Sequence, residues 1–263
     1  MNMVLPIPAL KIAQLRTPIR DKHTLVPERN MYTPMNTSSG CIPDAILFDL
    51  DNTLCTFIDA KYAACRAVTD YIGTGDETEL FQYFLRPVHS FEDPNHIFDY
   101  LKEKGVYTPA SADHAARLFE DVKIAHIHPY DGVHDTLRHL ASLGIKMAIV
   151  TDAGSEQARK RMKKCDIDCY FPVLITPDRS GKRKPDHTPF RMALRELSVT
   201  GTIWLVGDSV RREVIPGQEL GFVTIYARYG DYFAQNNPEC TPDHIIDRFS
   251  DLLSITGLHQ IRS

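Results

Sequence analysis

The sequence has no Cys-x-x-Cys pair and no Cys/His spacing that fits zinc, which argues against a structural zinc site. No apolar run approaches the ~18 residues of a membrane span, so an integral helical membrane protein is excluded. Basic charge is scarce. Lys and Arg number 30 against 34 Asp and Glu, a formal charge of −4, so the chain lacks the footprint of a dedicated nucleic-acid binder. A signal peptide is not evident either: Pro6 and Pro8 break the apolar stretch Met3–Leu10, and no basic stretch precedes it. The six cysteines (Cys41, Cys55, Cys65, Cys165, Cys169 and Cys240) are therefore expected as free thiols in a cytoplasmic protein. No internal repeat or low-complexity tract occurs.

What is present is ordinary for a globular chain: 43% hydrophobic and 24% charged residues. At roughly 100–200 residues per domain, 263 residues suit one large domain or two modest ones. Residues 1–40 stand apart. They hold five of the 17 prolines, one glycine and a charge of +3, which leaves −7 for the rest. They keep no helical or alternating pattern and read as an extended N-terminal arm.

From Cys41 onward, short apolar runs recur: Ala45–Asp51, Lys146–Thr151, Phe171–Thr176, Thr202–Asp208 and Val223–Ala227. Their length and β-branched content predict buried strands. Helical patterns separate the later ones. Val133, Leu137 and Leu140 repeat at helical spacing, with Gly144 as the stop. Thr188 is expected as an N-cap with Pro189 at the first helical position, and Phe190, Ala193, Leu194 and Leu197 as the buried face. This alternation predicts an α/β fold, a doubly wound parallel sheet covered by helices on both faces. Thr56–His128 has no strong strand but has helical stripes: Tyr62, Cys65, Val68 and Ile72 on one, and Ala115, Leu118, Val122 and Ala125 on another. About seventy helical residues far exceed a usual crossover, so they read as an inserted domain. The organisation expected is an arm (1–40), a split core (41–55 and 129–263) and a helical insert (56–128).

Ligands of parallel α/β sheets bind at the carboxyl ends of the strands. The first strand ends in Asp49 and Asp51, the second in Thr151, and the fourth in Asp208 and Ser209; the loop Gly181–Pro185 after the third carries Lys184. Three carboxylates in one crevice repel one another unless a cation sits among them. Mg²⁺ is the natural cation for an all-oxygen site completed by water and a substrate phosphate. Lys184 supplies a second positive charge and Thr151 a neutral donor for an anion. A carboxylate beside Mg²⁺ can attack phosphorus and form an aspartyl phosphate. Asp166-x-Asp168 repeats the first spacing without closing a convincing strand, and turns explain Gly75-Asp76 and Gly230-Asp231.

This order of residues resembles the haloacid dehalogenase-like (HAD) hydrolase superfamily. Asp49-Leu-Asp-Asn-Thr-Leu54 is similar to its first motif, Thr151 in Ile149–Asp152 to the second, Lys184 in Lys184–Phe190 to the third, and Val206-Gly-Asp-Ser209 to the fourth. The likeness runs from about Ala45 to Leu253. The insert resembles the helical cap of the subfamily that includes phosphoglycolate phosphatases, over a Rossmann-like core.

The resemblance implies an Mg²⁺-dependent phosphatase acting on a small phosphorylated metabolite through an aspartyl phosphate. Asp49 would be the nucleophile. Asp51 would protonate the leaving oxygen and then deprotonate water. Asp49, the Asp51 carbonyl and Asp208 would hold the metal, and Thr151 and Lys184 the phosphoryl oxygens. Many relatives carry an aspartate where this chain has Glu213; the same charge one methylene longer keeps a role through water or behind the ligands. Asp51 favours phosphoryl transfer over dehalogenation, because haloacid dehalogenases lack it. A phosphomutase of the same superfamily and a non-catalytic binding module remain as alternatives. Neither nucleic acid nor membrane is expected as a partner, and the oligomeric state is not legible.

Other residues are weighed against their structural readings. Phe57, Lys61, Arg66, Arg86, His89 and His96 of the insert are candidates for substrate choice, although each reads better as surface. His126-x-His128 points to two helix faces, which disfavours a metal pair. Cys55, just past the first motif, reads as packing.

Overall fold

The computed structural model describes residues 42–233 and 240–255. The expected arm, residues 1–40, and Cys41 lie outside the described residues. The chain divides into two compact units. One comprises Cys55–His128; the other holds the described residues up to Leu54 and from Pro129 on. Among the described residues, no helix is long and apolar enough to cross a membrane.

The first unit contains α1 (Ile58–Ile72), α2 (Glu77–Phe84), α3 (Asn95–Glu103) and α4 (Pro109–His126). Local chemistry sets the helix starts. Asp76 accepts the Glu79 N–H at 2.9 Å, a cap worth about 1 kcal/mol. Thr108 and Ser111 form a capping box ahead of α4, with Pro109 inside the first turn. Tyr62, Cys65 and Val68 are buried along α1 as expected, while Ile72 is half-buried.

The stripe predicted on α4 is displaced. Ala112, Ala115, Phe119 and Lys123 are buried, whereas Ala125 is exposed and Leu118 and Val122 are half-buried. A lysine counts as polar in the pattern, so the true stripe is hidden. Lys123 tolerates burial because Glu120 at 2.6 Å and Glu92 at 3.4 Å neutralise it.

His96 is buried in this unit, where it donates from Nε2 to the Ser90 carbonyl at 3.1 Å. Burial pushes its pKa below 6.5, with His89 and Lys61 adding to the shift and the Ser90 carbonyl opposing it. A depressed histidine is neutral in the fold, so the unfolded chain takes up the proton first as pH falls. The unit is therefore expected to lose stability from about pH 6.5 downward. Thermal melts between about pH 7.5 and pH 5.5 should show a fall in Tm that shrinks in His96→Phe. An equal fall in both proteins would discard the assignment.

The second unit is a six-stranded sheet. β1 (Ala45–Phe48), β2 (Lys146–Val150), β3 (Val173–Ile175), β4 (Ile203–Gly207), β5 (Val223–Ala227) and β6 (His244–Ile246) lie in the order β3-β2-β1-β4-β5-β6, with every pair parallel. The chain runs outward from β1 on both sides, so the switch point lies between β1 and β4. The helices include α5 (Val133–Ser142), α6 (Ser155–Lys164), α7 (Pro177–Ser180) and α8 (Thr188–Leu197).

β1 is wholly buried because both faces are covered. Ala45 and Leu47 pack with Phe190, Ala193 and Leu197 of α8, and Phe48 meets Phe171 and Phe249 on the other face. One helix start differs from expectation. Thr188 is the first residue of α8 rather than its cap, because Asp186 Oδ1 already accepts the Thr188 N–H at 2.8 Å. The half-buried Leu194 packs at the edge of the core face.

Candidate active site

The β1–β4 register pairs Phe48 with Val206, and Asp49 N–H donates to the Val206 carbonyl at 2.9 Å. Asp49 and Asp208 thus leave adjacent strands at the same edge of the sheet, about 4.8 Å being the usual strand spacing. Thr151 lies one strand further, after β2, and its N–H donates to the Ile175 carbonyl. Asp49, Thr151, Lys184, Asp208 and Glu213 are all buried. Such placement is costly for charge and persists only with partners.

Those partners are specific. Lys184 Nζ lies 2.5 Å from Asp49 Oδ1 and 2.6 Å from Glu213 Oε1, bridging the two carboxylates. Its backbone N–H donates to Asp152 Oδ1 at 2.9 Å, and Arg183 donates to the Asp152 carbonyl at 2.7 Å. The basic loop is thereby clamped to the end of β2. Thr53 Oγ1 donates to Asp49 Oδ2 at 3.3 Å. Ala153 N–H donates to Thr151 Oγ1 at 3.2 Å, which leaves the Thr151 hydroxyl proton to be given elsewhere. Asp51 is ion-paired with Arg161 of α6.

Glu213 accepts the Ser209 N–H at 3.0 Å. Its longer side chain fits because residue 207 is glycine: a Cβ there would collide with the Glu213 side chain. The turn that carries it, Val210–Val214, is a π-helical bulge. Arg212 Nη2 lies 2.9 Å from Asp208 Oδ1.

Electrostatics follow from burial. Burial would pull the Lys184 ammonium down, but Asp49, Glu213 and Asp152 outweigh it and hold the pKa above 10.5. Burial pushes the Asp208 carboxyl well above its usual range; Arg212 opposes this, while Asp49 and Glu213 add to it. Burial likewise raises Glu213 against the pull of Lys184 and Arg212. Acidic groups whose burial disfavours their charge gain the most from an added cation. Among the described residues, no three His, Cys, Asp or Glu side chains converge as a ready metal cage. The donor set still suits Mg²⁺, which typically takes only one or two carboxylates plus water and substrate oxygens. Asp49 and Asp208, buried at the ends of adjacent strands, are the carboxylates that could be drawn on.

Sequence reasoning missed Asp152, Arg161 and Arg212. Asp152 adjoins the second motif, which is a signal in the sequence, whereas Arg161 reads as a break in the apolar stripe of α6 until its partner is known. Arg212 carried no signal beyond its place near Asp208. In the helical unit, Phe57, Lys61 and His96 are buried, against the surface reading. Lys61 Nζ lies 3.6 Å from the Phe91 ring centre and 3.9 Å from that of Phe84, and donates to the Phe91 carbonyl. Aromatic faces thus replace water around the ammonium. Arg66 and Arg86 are exposed, with Arg86 stacked on Tyr83, and His89 pairs with Asp99 at 3.0 Å. His126 Nδ1 donates to the Val122 carbonyl, His128 is exposed, and Cys55 is buried. Asp166 has a left-handed backbone in the turn after α6 and Asp168 opens a 3-10 turn ahead of β3, so Asp166-x-Asp168 closes no strand.

A parallel α/β sheet with acidic strand ends around a buried lysine defines an anion-handling hydrolase fold, and a family model described as haloacid dehalogenase-like hydrolase matches residues 46–227. The chain belongs to that family. It is similar to the glyceraldehyde 3-phosphate phosphatase of Methanocaldococcus jannaschii, 27% identical over 220 residues, covering 80% of this chain and 95% of the relative. It is also similar to the pyrophosphatase PpaX of Halalkalibacterium halodurans, 28% identical over 226 residues, covering 82% and 97%. In fold it is similar to YfnB of Bacillus subtilis, solved bound to magnesium: TM-score 0.61, 19% identity, 81% of this chain and 97% of that one.

Proposed function

We propose that this HAD hydrolase is an Mg²⁺-dependent phosphatase of a small phosphorylated metabolite. The observation that carries this reading is Lys184, buried between Asp49 and Glu213 at the carboxyl edge of the sheet. A buried cation there cancels the repulsion between a carboxylate nucleophile and a phosphate dianion. Relatives named as phosphatases and a pyrophosphatase support the class.

Asp49 attacks phosphorus, and its new bond replaces the one to the leaving oxygen. Asp51 gives that oxygen a proton, so an alcohol departs. The Asp51 carboxylate then takes a proton from water, whose oxygen bonds to phosphorus and releases inorganic phosphate, restoring Asp49. Thr151 and Lys184 hold the non-bridging oxygens. Mg²⁺, held by Asp49, Asp208 and the Asp51 carbonyl, would supply further charge neutralisation. Glu213 keeps Lys184 in place. The helical unit is the proposed cap, Cys55 or Thr56 to His128, and would set substrate choice. The five free cysteines among the described residues suit the reducing cytoplasm.

The test is phosphate release from glyceraldehyde 3-phosphate, 2-phosphoglycolate, pyrophosphate and simple sugar phosphates, with Mg²⁺ and with excess chelator. Release from at least one is expected, with a loss of about 10³-fold or more in chelator. Silence across the panel would remove the phosphatase reading, and isomerisation without release would favour a mutase.

A further inference from the structure

The π-helical turn after β4, Val210–Val214, brings a second cation to the buried carboxylates. Arg212 Nη2 lies 2.9 Å from Asp208 Oδ1, and its Nε lies 3.8 Å from Glu213 Oε1. Among the described residues, Arg212 gives Asp208 its one side-chain hydrogen bond, whereas Asp49 accepts from both Lys184 and Thr53.

The turn does not need that guanidinium. Its backbone closes by itself: the Glu213 and Val214 N–H groups donate to the Ser209 carbonyl at 3.0 and 3.4 Å, and the Arg212 N–H donates to Ser209 Oγ at 3.3 Å. The charge of Arg212 therefore serves Asp208. That side chain is only 6% exposed and would otherwise be a buried carboxylate with no cation in contact.

The two cations of the cluster differ in freedom. Lys184 is 1% exposed and bridges two carboxylates, so it cannot leave without stranding both. Arg212 holds one carboxylate and keeps 39% of its side chain exposed. A long side chain at the water boundary can turn its charged head outward. A divalent cation drawn to Asp208 meets the guanidinium that already holds this carboxylate, and like charges repel. Arginine stays charged at every working pH, so losing a proton cannot relieve the competition.

We propose that Arg212 is an exchangeable counter-ion: its guanidinium pairs Asp208 until a divalent cation takes that carboxylate, and it thereby lowers the affinity of the site for Mg²⁺. This rests on the Mg²⁺ reading above. Loading of the site is then set by competition between one side chain and the free metal concentration.

The test is calorimetric Mg²⁺ titration of the full chain without substrate, on wild type, Arg212→Met and Arg212→Gln. Both neutral variants are expected to bind Mg²⁺ about tenfold tighter, because one charge-assisted hydrogen bond no longer has to be broken. Gln retains a donor for Asp208 and serves if the Met variant does not fold. Arg211→Gln removes the same charge from the exposed neighbouring residue and should leave the affinity nearly unchanged. Without Mg²⁺, Arg212→Met should melt below wild type, and saturating Mg²⁺ should raise its Tm by more than it raises that of wild type. A merely structural arginine predicts the lower Tm with no tighter binding. Equal or weaker binding by a folded neutral variant, or equal tightening by Arg211→Gln, would overturn the proposal.

No substrate enters the titration, so turnover does not decide it. The expected ranking in a protein that hydrolyses no ester keeps the exchange and discards the phosphatase reading. Mg²⁺ binding by none of the proteins overturns the exchange and removes Mg²⁺ from the proposed function as well.

Discussion

Asp49→Asn is expected to lower kcat about 10⁴-fold or more on every substrate the protein accepts, with the fold intact. A carboxamide cannot form the acyl phosphate, so no phosphoenzyme should be trapped. The substitution is close to isosteric, and Thr53 can still donate to the retained oxygen. Lys184 keeps Glu213 at 2.6 Å, so one buried ion pair survives. One carboxylate also leaves a cluster in which Asp49 raises both Asp208 and Glu213. The variant should therefore melt at or above the wild-type temperature. Turnover within tenfold of wild type would remove Asp49 as nucleophile.

Lys184→Met is expected to damage both activity and stability. Methionine fills much the same volume but leaves the buried carboxylates of Asp49 and Glu213 without their shared cation. Breaking a buried pair from one side costs about 3–5 kcal/mol. Denaturant unfolding should show that loss as a lower midpoint with an unchanged slope. Because the folded pKa of Lys184 lies above 10.5, its contribution is fully present below that value and is lost only as pH rises through the folded pKa. The stability difference between wild type and variant should therefore not depend on the lysine's own titration near neutral pH. In activity, KM should rise as kcat falls, since the ammonium also meets the phosphoryl oxygens. Lys184→Arg should restore stability more than activity, because a planar fork does not replace a compact ammonium between two carboxylates. A fully stable Lys184→Met would refute the bridging role.

Burial made β1 to β5 visible as apolar runs. β6 escaped notice because two of its three residues are exposed. The motif residues were legible because their chemistry is local: each lies within three residues of a strand end or on a basic loop. The insert was legible as helical, but its inner faces were not. Lys61, Lys123 and Arg161 all occupy buried positions. A charged residue in an apolar stripe reads as a break until its partner is known, and the partners are Phe84 and Phe91, Glu92 and Glu120, and Asp51.

By itself, the sequence determined the order of chemical groups along one edge of the sheet, because parallel α/β connections bring successive strand ends to the same side. Only the tertiary structure decided which charges are paired. Lys184 meets Asp49 across 135 residues, Arg161 meets Asp51 across 110, and Glu213 fits because Gly207 leaves room for it. An ion pair depends on separations of a few ångströms and on exclusion of water, and neither is encoded in the spacing of residues along a chain.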